Sequence, residues 1–549
     1  MTRGGSSGRG LVVGIVAASA IALVACGSDD SQPAKEPAQD ASADALGDAG
    51  EEASLDGSPD SEEAGLDAPE PIVELTVFAT SDEHGWLQPY TDSAQILGGA
   101  ANVMGWMAKD GLDVSKHLLV SSGDNWAGPA ISSYFRGEPV VQAFNLMGYH
   151  ASAIGNHEFD WGQEVLGLRM GEAHHKYLSA NIRQESTGVA PDFIQRYLIV
   201  PVQGVKVGLI GVTAPSTVTA TTPKNVAGLV FDNIRETLDA VVPEVRGAGA
   251  EVVVVLAHED YLPMILVAET TTSKADLILA GHGHVLAHTI AKSGTPVASS
   301  GSGWMAYTLA KLTYDRMQGK VTASTVEQRE VSYDSAGPNP VEPNPEMESL
   351  VEEWQTKLDA LMGETIGYTE TGIAYPSWAM GNWACDAWLA MVPDADVAVQ
   401  NFGGLRQPVA KGPITKQTVF DVMPFENRLM QVQVTGAQLL ENIKMAVGKY
   451  VIFGGGYPAV GGMTFTGTGD ALVITLEGGV PLDLAKTYKV LINDYMYGGG
   501  NNYLFGTQDP NATDLGMNYR DPVIAWTEQL GSSSTDPLES HVDPAPRNQ

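Results

Sequence analysis

Five short apolar runs in this chain each lead into side chains that can bind a metal ion, and that repetition narrows the folds open to it. Ile72–Ala79 leads into Thr80-Ser81-Asp82-Glu83-His84-Gly85, and His117–Val120 into Ser122-Gly123-Asp124-Asn125. Ser152–Ile154 precedes Gly155-Asn156-His157-Glu158, Glu251–Ala257 precedes His258, and Asp276–Leu279 precedes Gly281-His282-Gly283-His284. The runs are short and rich in β-branched residues, as buried strands are, and they alternate with helical patterns up to about Tyr333. This texture predicts an α/β fold, specifically a layered α-β-β-α arrangement. The carboxyl ends of strands in open sheets meet at one edge, where ligands bind. Taken singly, each residue has an ordinary reading, since a His after a strand is commonly a hydrogen-bonded polar group and Gly-Asp commonly a turn. Five such strand ends together point to one shared site.

The signatures Asp-x-His-Gly, Gly-Asp-Asn, Gly-Asn-His-Glu, a lone strand-end His and Gly-His-x-His follow one another in an order that resembles the calcineurin-like metallophosphoesterases, in particular the 5′-nucleotidase family. The resemblance extends over about Ile72 to Phe505. It implies two divalent cations, one held by Asp82, His84 and His284, the other by Asn156, His258 and His282, with Asp124 bridging. Imidazole, carboxylate and amide oxygen suit Zn, Mn, Fe or Co better than Ca or Mg. A bridging carboxylate holds two ions roughly 3.5–4 Å apart, the spacing that clamps the attacking and leaving oxygens of a phosphoryl transfer. The resemblance also makes His157 the group that stabilises the transition state or protonates the leaving group, with Asp160 orienting its imidazole. One departure is visible here: His258-Glu259-Asp260 stands where the family often has His-x-Gly.

A second stretch, 363–530, is similar to the substrate-binding domain of the same family, opening at Gly381-Asn382-Trp383-Ala384-Cys385-Asp386-Ala387. Asn401-Phe402-Gly403-Gly404-Leu405-Arg406 resembles the loop that offers an Arg and backbone amides to phosphate, so Asn401, Gly404 and Arg406 are expected at the substrate. Arg suits that task because its planar fork meets phosphate with two parallel hydrogen bonds. Pro424-Phe425-Glu426-Asn427 and Asn493-Asp494-Tyr495-Met496-Tyr497-Gly498-Gly499-Gly500-Asn501 resemble the two motifs that sandwich a base, which implicates Phe425 and Tyr495 as the stacking pair and adds Asn427 and Asn501. The family commonly carries further Arg residues before Gly-Asn, and Ile373-Ala374-Tyr375-Pro376-Ser377 carries none. It also commonly has Asp where Asn501 stands.

Outside these stretches the chain reads as appendage. Arg3 and Arg9 precede an apolar run from Leu11 to Ala25, too short for a permanent membrane span and shaped like a secretory leader. It ends in Leu23-Val24-Ala25-Cys26, which resembles the lipobox of bacterial lipoproteins, so 1–26 is read as a signal peptide ending at that Cys, and the resemblance implies that the Cys26 thiol is lipidated and becomes the new N-terminus after cleavage. Residues 27–71 follow as an acidic tether without hydrophobic periodicity, with fourteen Asp and Glu against the single Lys35 between Gly27 and Glu70. The catalytic domain is expected over 72–335, a linker and connecting helix over 336–362 with the helix from Met347 to Met362, and a disordered tail over 531–549.

With a net charge of −35 the chain offers no basic stripe to a nucleic-acid polymer, whereas a small phosphorylated substrate is compatible through bound metal ions. These readings combine into an exported, lipid-anchored enzyme of the bacterial cell envelope, periplasmic or on a membrane's surface face, that hydrolyses nucleotides to nucleoside and phosphate. The alternatives are a 2′,3′-cyclic-nucleotide phosphodiesterase with 3′-nucleotidase activity, or a UDP-sugar hydrolase, of the same family. A thiosulfate-ester hydrolase is disfavoured by the aromatic pair, and a non-catalytic surface nucleoside-binding protein by the intact ligand set.

Overall fold

A computed structural model of the chain describes residues 70–92, 95–333 and 340–548. Cys26, the leader and the tether up to residue 69, and the linker residues 334–339, lie outside the described residues. Two six-stranded sheets form the first half. One runs Lys320–Glu330, Ala306–Asp315, Ile72–Thr80, Leu118–Ser121, Ala151–Ala153, Lys176–Leu178, with its last four strands parallel. The other runs Leu286–Ile290, Pro296–Ser300, Leu277–Ala280, Val252–His258, Val205–Thr213, Tyr197–Val202, with four parallel strands flanked by antiparallel edges.

The sheets pack face to face through Val77, Val120 and Ala153 on one side and Leu209, Leu256 and Leu279 on the other. Because both faces of these strands are covered, the runs are continuously apolar instead of alternating, as parallel sheets require. Ile234–Gly247 and Tyr261–Thr270 cover the outer face of the second sheet, and Ala100–Lys109 and Glu138–Met147 that of the first. The expected α-β-β-α layering is present.

The connecting helix spans Pro345–Met362, capped by the Asn344 side chain, which accepts from the Glu346 and Met347 amides. Met347, Trp354 and Leu358 are buried in the first half's helical layer. The helix is therefore part of that layer and not a free-standing connector.

The second half is built on a five-stranded sheet in the order Pro458–Gly461, Val397–Asn401, Thr487–Asn493, Arg428–Thr435, Thr513–Asn518. The helix Trp378–Met391 lies on it and buries Trp383, Cys385 and Trp388. The tail differs from expectation. Residues 531–548 are ordered against this helix, with Leu538 and Val542 buried and Arg547 paired to Asp386 through two contacts of 2.7 Å. Its composition is that of a loop, but its backbone carbonyls at Asp543 and Ala545 take both hydrogens of the buried Asn382 amide, at 2.7 and 3.0 Å. No helix among the described residues is long and apolar enough to cross a membrane.

Candidate metal centre

All five strand ends converge on the seam between the two sheets. Asp82, His84, Asp124, Asn156 and His157 come from the first sheet, and His258, His282 and His284 from the second. Five of these residues sit in the left-handed backbone region: Asp82 at φ 52°, His84 at 47°, Asp124 at 57°, His282 at 65° and His284 at 53°. For a residue with a Cβ such a conformation costs about 1–3 kcal/mol and persists only where surrounding bonds over-determine it. Here those bonds are on view. The Asp82 amide donates to Gly123 O at 2.9 Å, the His84 amide to Asp124 O at 3.0 Å, and the His282 amide to Asp82 Oδ1 at 2.9 Å.

Two carboxylates absent from the expected site set hold this framework. Glu158 accepts the amides of Asp124, Asn125 and Gly155 at 2.9, 2.7 and 2.6 Å, so it ties the second strand end to the third. Glu83 accepts Ser121 Oγ at 3.0 Å and Asn125 Nδ2 at 2.7 Å. Burial pushes each carboxyl up to about 7. Both lie inside the quoted motifs, but only the fold brings their partners within reach. Gly155 is needed for close approach, since a Cβ there would lie 2.2 Å from Asp124 Oδ1.

The ligand atoms of Asp82, His84 and His284 lie within 4.8 Å of one another, as do those of Asp124, His258 and His282, and those of His84, Asp124 and His157. Asp124 belongs to two of the groups, between His84 and His258. His84 Nδ1 faces the carbonyl of Ala127 at 2.8 Å; a carbonyl only accepts, so Nδ1 carries the proton and Nε2 keeps its lone pair. That Nε2 lies 2.9 Å from His284 Nε2, and Asp82 Oδ2 is buried with no protein partner. Burial, then the His284 charge, holds the His84 imidazole well below its ordinary range, and burial, then the Arg406 charge, takes His284 down to about 3. Two neutral ring nitrogens and an orphaned carboxylate oxygen converging on one point are a cation's donor set.

The second group gives the same reading from the opposite direction. His258 Nε2 lies 3.0 Å from Asp124 Oδ2 and 3.1 Å from Asn156 Oδ1, and its Nδ1 faces Ser122 O at 3.0 Å. Burial alone would lower the His258 pKa, yet the Asp124 and Asp82 charges lift it to about 10. The carboxylates demand positive charge at that point, and divalent ions would supply it. Of the departing pair, Glu259 is half-buried, and Asp260 is close enough to Gly283 that a Cβ there would lie 2.7 Å from its Oδ1.

His157 stands beside both groups. Its amide donates to Asp124 Oδ1 at 2.8 Å, its Nε2 is 3.9 Å from Asp124 Oδ2, and its Nδ1 is 2.6 Å from Asp160 Oδ2. Burial would lower the His157 pKa, but the Asp160 and Asp124 charges raise it above its ordinary value.

The second half brings two of its expected residues to this centre. Phe425 stacks on the His157 ring at 6.5 Å and 13°, and the Arg406 guanidinium lies 5.8 Å from the Phe425 ring. Tyr495 also stands at the boundary, its hydroxyl accepting the Asn501 amide at 3.1 Å and donating to Thr219 O of the first half at 3.5 Å. Asn401 and Asn501 meet, Asn401 Nδ2 donating to Asn501 Oδ1 at 3.1 Å. Asn427 and Gly404 are engaged inside the second half, Asn427 Nδ2 with Asp494 at 2.6 Å and Gly404 O with the Tyr519 hydroxyl at 2.9 Å.

Residues 364–507 match the model of the 5′-nucleotidase C-terminal domain family. The chain carries a 5′-nucleotidase C-terminal domain. It is 26% identical over 537 residues to the trifunctional nucleotide phosphoesterase protein YfkN of Bacillus subtilis, covering 86% of this chain and 34% of that protein. It is 24% identical to the 5′-nucleotidase of Bos taurus, covering 78% and 84%. The 5′-nucleotidase precursor structure from Thermus thermophilus has the same fold, with a TM-score of 0.76, 23% identity and coverage of 87% and 99%. This chain spans 34% to 64% of the length of the first three curated relatives it matches. The resemblance to the 5′-nucleotidase family, and the two-domain α/β architecture expected from it, are borne out.

Proposed function

We propose that the chain hydrolyses nucleotide phosphate esters, releasing phosphate, with two divalent cations held by Asp82, His84 and His284 and by Asn156, His258 and His282 across Asp124. The observation that carries the reading is Asp124 shared between two converging donor groups, with the His157 ring beside it and the Arg406 charge acting on His84, His157 and His284. When bound, the ions supply Lewis-acid neutralisation of the phosphate charge. Arg406 binds phosphate oxygens from the second domain, adding a bidentate cation where charge builds up. His157, whose pKa the Asp160 and Asp124 charges raise, donates from Nε2 toward the leaving oxygen. Phe425 covers the His157 ring, excludes water from it and offers its other face to a base.

Phosphate release from AMP, UDP-glucose, 2′,3′-cyclic AMP and 3′-AMP, with Mn, Zn or Co against a chelator, tests this, a coupled phosphatase being added for diesters. Metal-dependent release from AMP that is absent in Asp124→Ala supports the 5′ reading. Release only from cyclic or 3′ substrates would move the enzyme to the alternative reading, which the lack of Arg in Ile373–Ser377 favours. Two ions bound with no release from any ester would sink both.

We also infer an N-terminal lipid anchor on Cys26 and a place in the cell envelope, supported by the leader and lipobox pattern. A Cys26→Ser variant that still partitions with detergent would overturn the anchor.

A further inference from the structure

The two domains meet at a contact that the proposed chemistry does not use. The helix Lys416–Val422 of the second domain inserts Phe420 into the first domain's helical layer, where it is buried beside Trp354 and Leu358. Arg520 lies over the other side of that ring at 4.0 Å and donates to the carbonyls of Met423 and Phe425, which fixes the segment. The next residue, Asp421, is half-buried, and its Oδ1 accepts the Ala130 amide of the first domain at 2.6 Å. Ala130 opens the single turn Ala130–Ser133, whose own N-cap, Pro129, offers no side-chain acceptor. Asp421 therefore caps a turn of the other domain.

That turn supports the metal centre. Ser133 Oγ exchanges hydrogen bonds with the Gly128 amide and carbonyl at 3.0 and 2.9 Å, and Ser132 Oγ donates to Trp126 O at 2.6 Å. Between these two anchored residues lies Ala127, whose carbonyl fixes the His84 ring. Gly128 packs so tightly on His84 that a Cβ there would lie 1.8 Å from the His84 carbonyl oxygen.

We propose that Asp421 is a positioning residue acting across the domain boundary: by capping the turn that clamps Trp126 to Gly128, it makes the cation affinity of Asp82, His84 and His284 depend on docking of the second domain. The inference rests on the two-ion reading of the centre and not on the substrate. Packing against the first domain takes the Asp421 carboxyl up to about 7 by desolvation, so near neutrality the cap needs an acceptor oxygen more than a charge. An amide should replace it.

The test is calorimetric titration of the metal-stripped full chain with Mn2+, beside hydrogen exchange of residues 126–133. Wild type and Asp421→Asn are expected to bind two ions with affinities within about twofold of each other. Asp421→Ala should weaken one ion by about 10–100-fold, leave the other unchanged, and speed exchange in residues 126–133. Unchanged binding of both ions in Asp421→Ala would overturn the proposal. So would an Asp421→Asn variant as weak as Asp421→Ala, since cap geometry would then not be the cause. A wild-type chain that binds no ion would instead overturn the two-ion reading itself, and the outcomes are told apart on the wild type alone.

Discussion

Asp160 joins His157 to the first domain's loop: one carboxylate oxygen lies 2.6 Å from His157 Nδ1, and the other accepts the Thr221 hydroxyl at 3.2 Å. The Asp160 backbone carbonyl accepts the Asn225 side-chain amide at 2.9 Å, so the carboxylate is held by two partners and its backbone by a third. Its charge, with that of Asp124, raises the His157 pKa above its ordinary value despite burial. Asp160→Asn preserves the shape and removes the charge, so turnover should fall about 10–100-fold with KM little changed. His157→Asn should cost about 10²–10⁴. Elemental analysis should find as many ions in both variants as in wild type. Loss of ions would make the pair structural.

The approach of Gly155 to Asp124 gives a separate test of the shared ligand. An added methyl would sit 2.2 Å from Asp124 Oδ1 and 2.7 Å from the Asp124 backbone nitrogen, so the carboxylate itself must give way. Gly155→Ala should therefore displace the carboxylate and behave like Asp124→Ala, binding fewer ions than wild type. Ligands that bind only the folded state raise its stability by about 2.7 kcal/mol at a hundredfold excess over Kd. Chelation should thus lower the wild-type melting temperature and leave that of either variant nearly unmoved. A Gly155→Ala chain with a full metal complement would refute the steric argument.

His175 predicts the acid behaviour of the fold. Both its ring nitrogens are buried without a protein partner, against Phe144 and Tyr177, and burial takes its pKa from the ordinary 6.5 down to about 3. Between those values the unfolded chain binds a proton that the folded chain refuses, so stability is lost as pH falls. The loss should be roughly 2–3 kcal/mol between pH 6.5 and 4.5. His175→Phe keeps an aromatic ring and cannot titrate. Its denaturation midpoint should equal or exceed that of wild type at pH 7 and fall less steeply toward pH 4.5. Equal slopes for the two proteins would show that His175 does not set the acid limb.

How much of this was legible follows from the range of the interactions. The strand ends carrying Asp82, Asp124, Asn156, His258 and His282 could be read because buried parallel strands show as apolar runs and their ligands follow within a few residues. The roles of Glu158 and Glu83 could not, because their partners sit on other strand ends, 33 to 42 residues away for Asn125. Asp421 and Ala130 are 291 residues apart, beyond any local pattern. The motif around Phe425 suggested an aromatic face for a base, but its stacking on His157 depends on how the domains dock.

The tail shows the same lesson as a measurable quantity. Its composition argued for disorder, yet Arg547 meets Asp386 across 161 residues and the tail carbonyls satisfy Asn382. Removing residues 531–549 would expose the cover over Leu538 and Val542's neighbours and forfeit their own burial, about 1.5–3 kcal/mol for each side chain. It would also strand the buried Asn382 amide, at about 1–3 kcal/mol. The truncated chain should therefore melt at least about 10 °C lower if the second domain unfolds as a unit. Asn382→Ala should cost stability in the full chain and much less in the truncated one, because its acceptors are already gone. Equal costs in the two backgrounds would mean the tail does not support the helix Trp378–Met391, and its order would be incidental to the domain's stability.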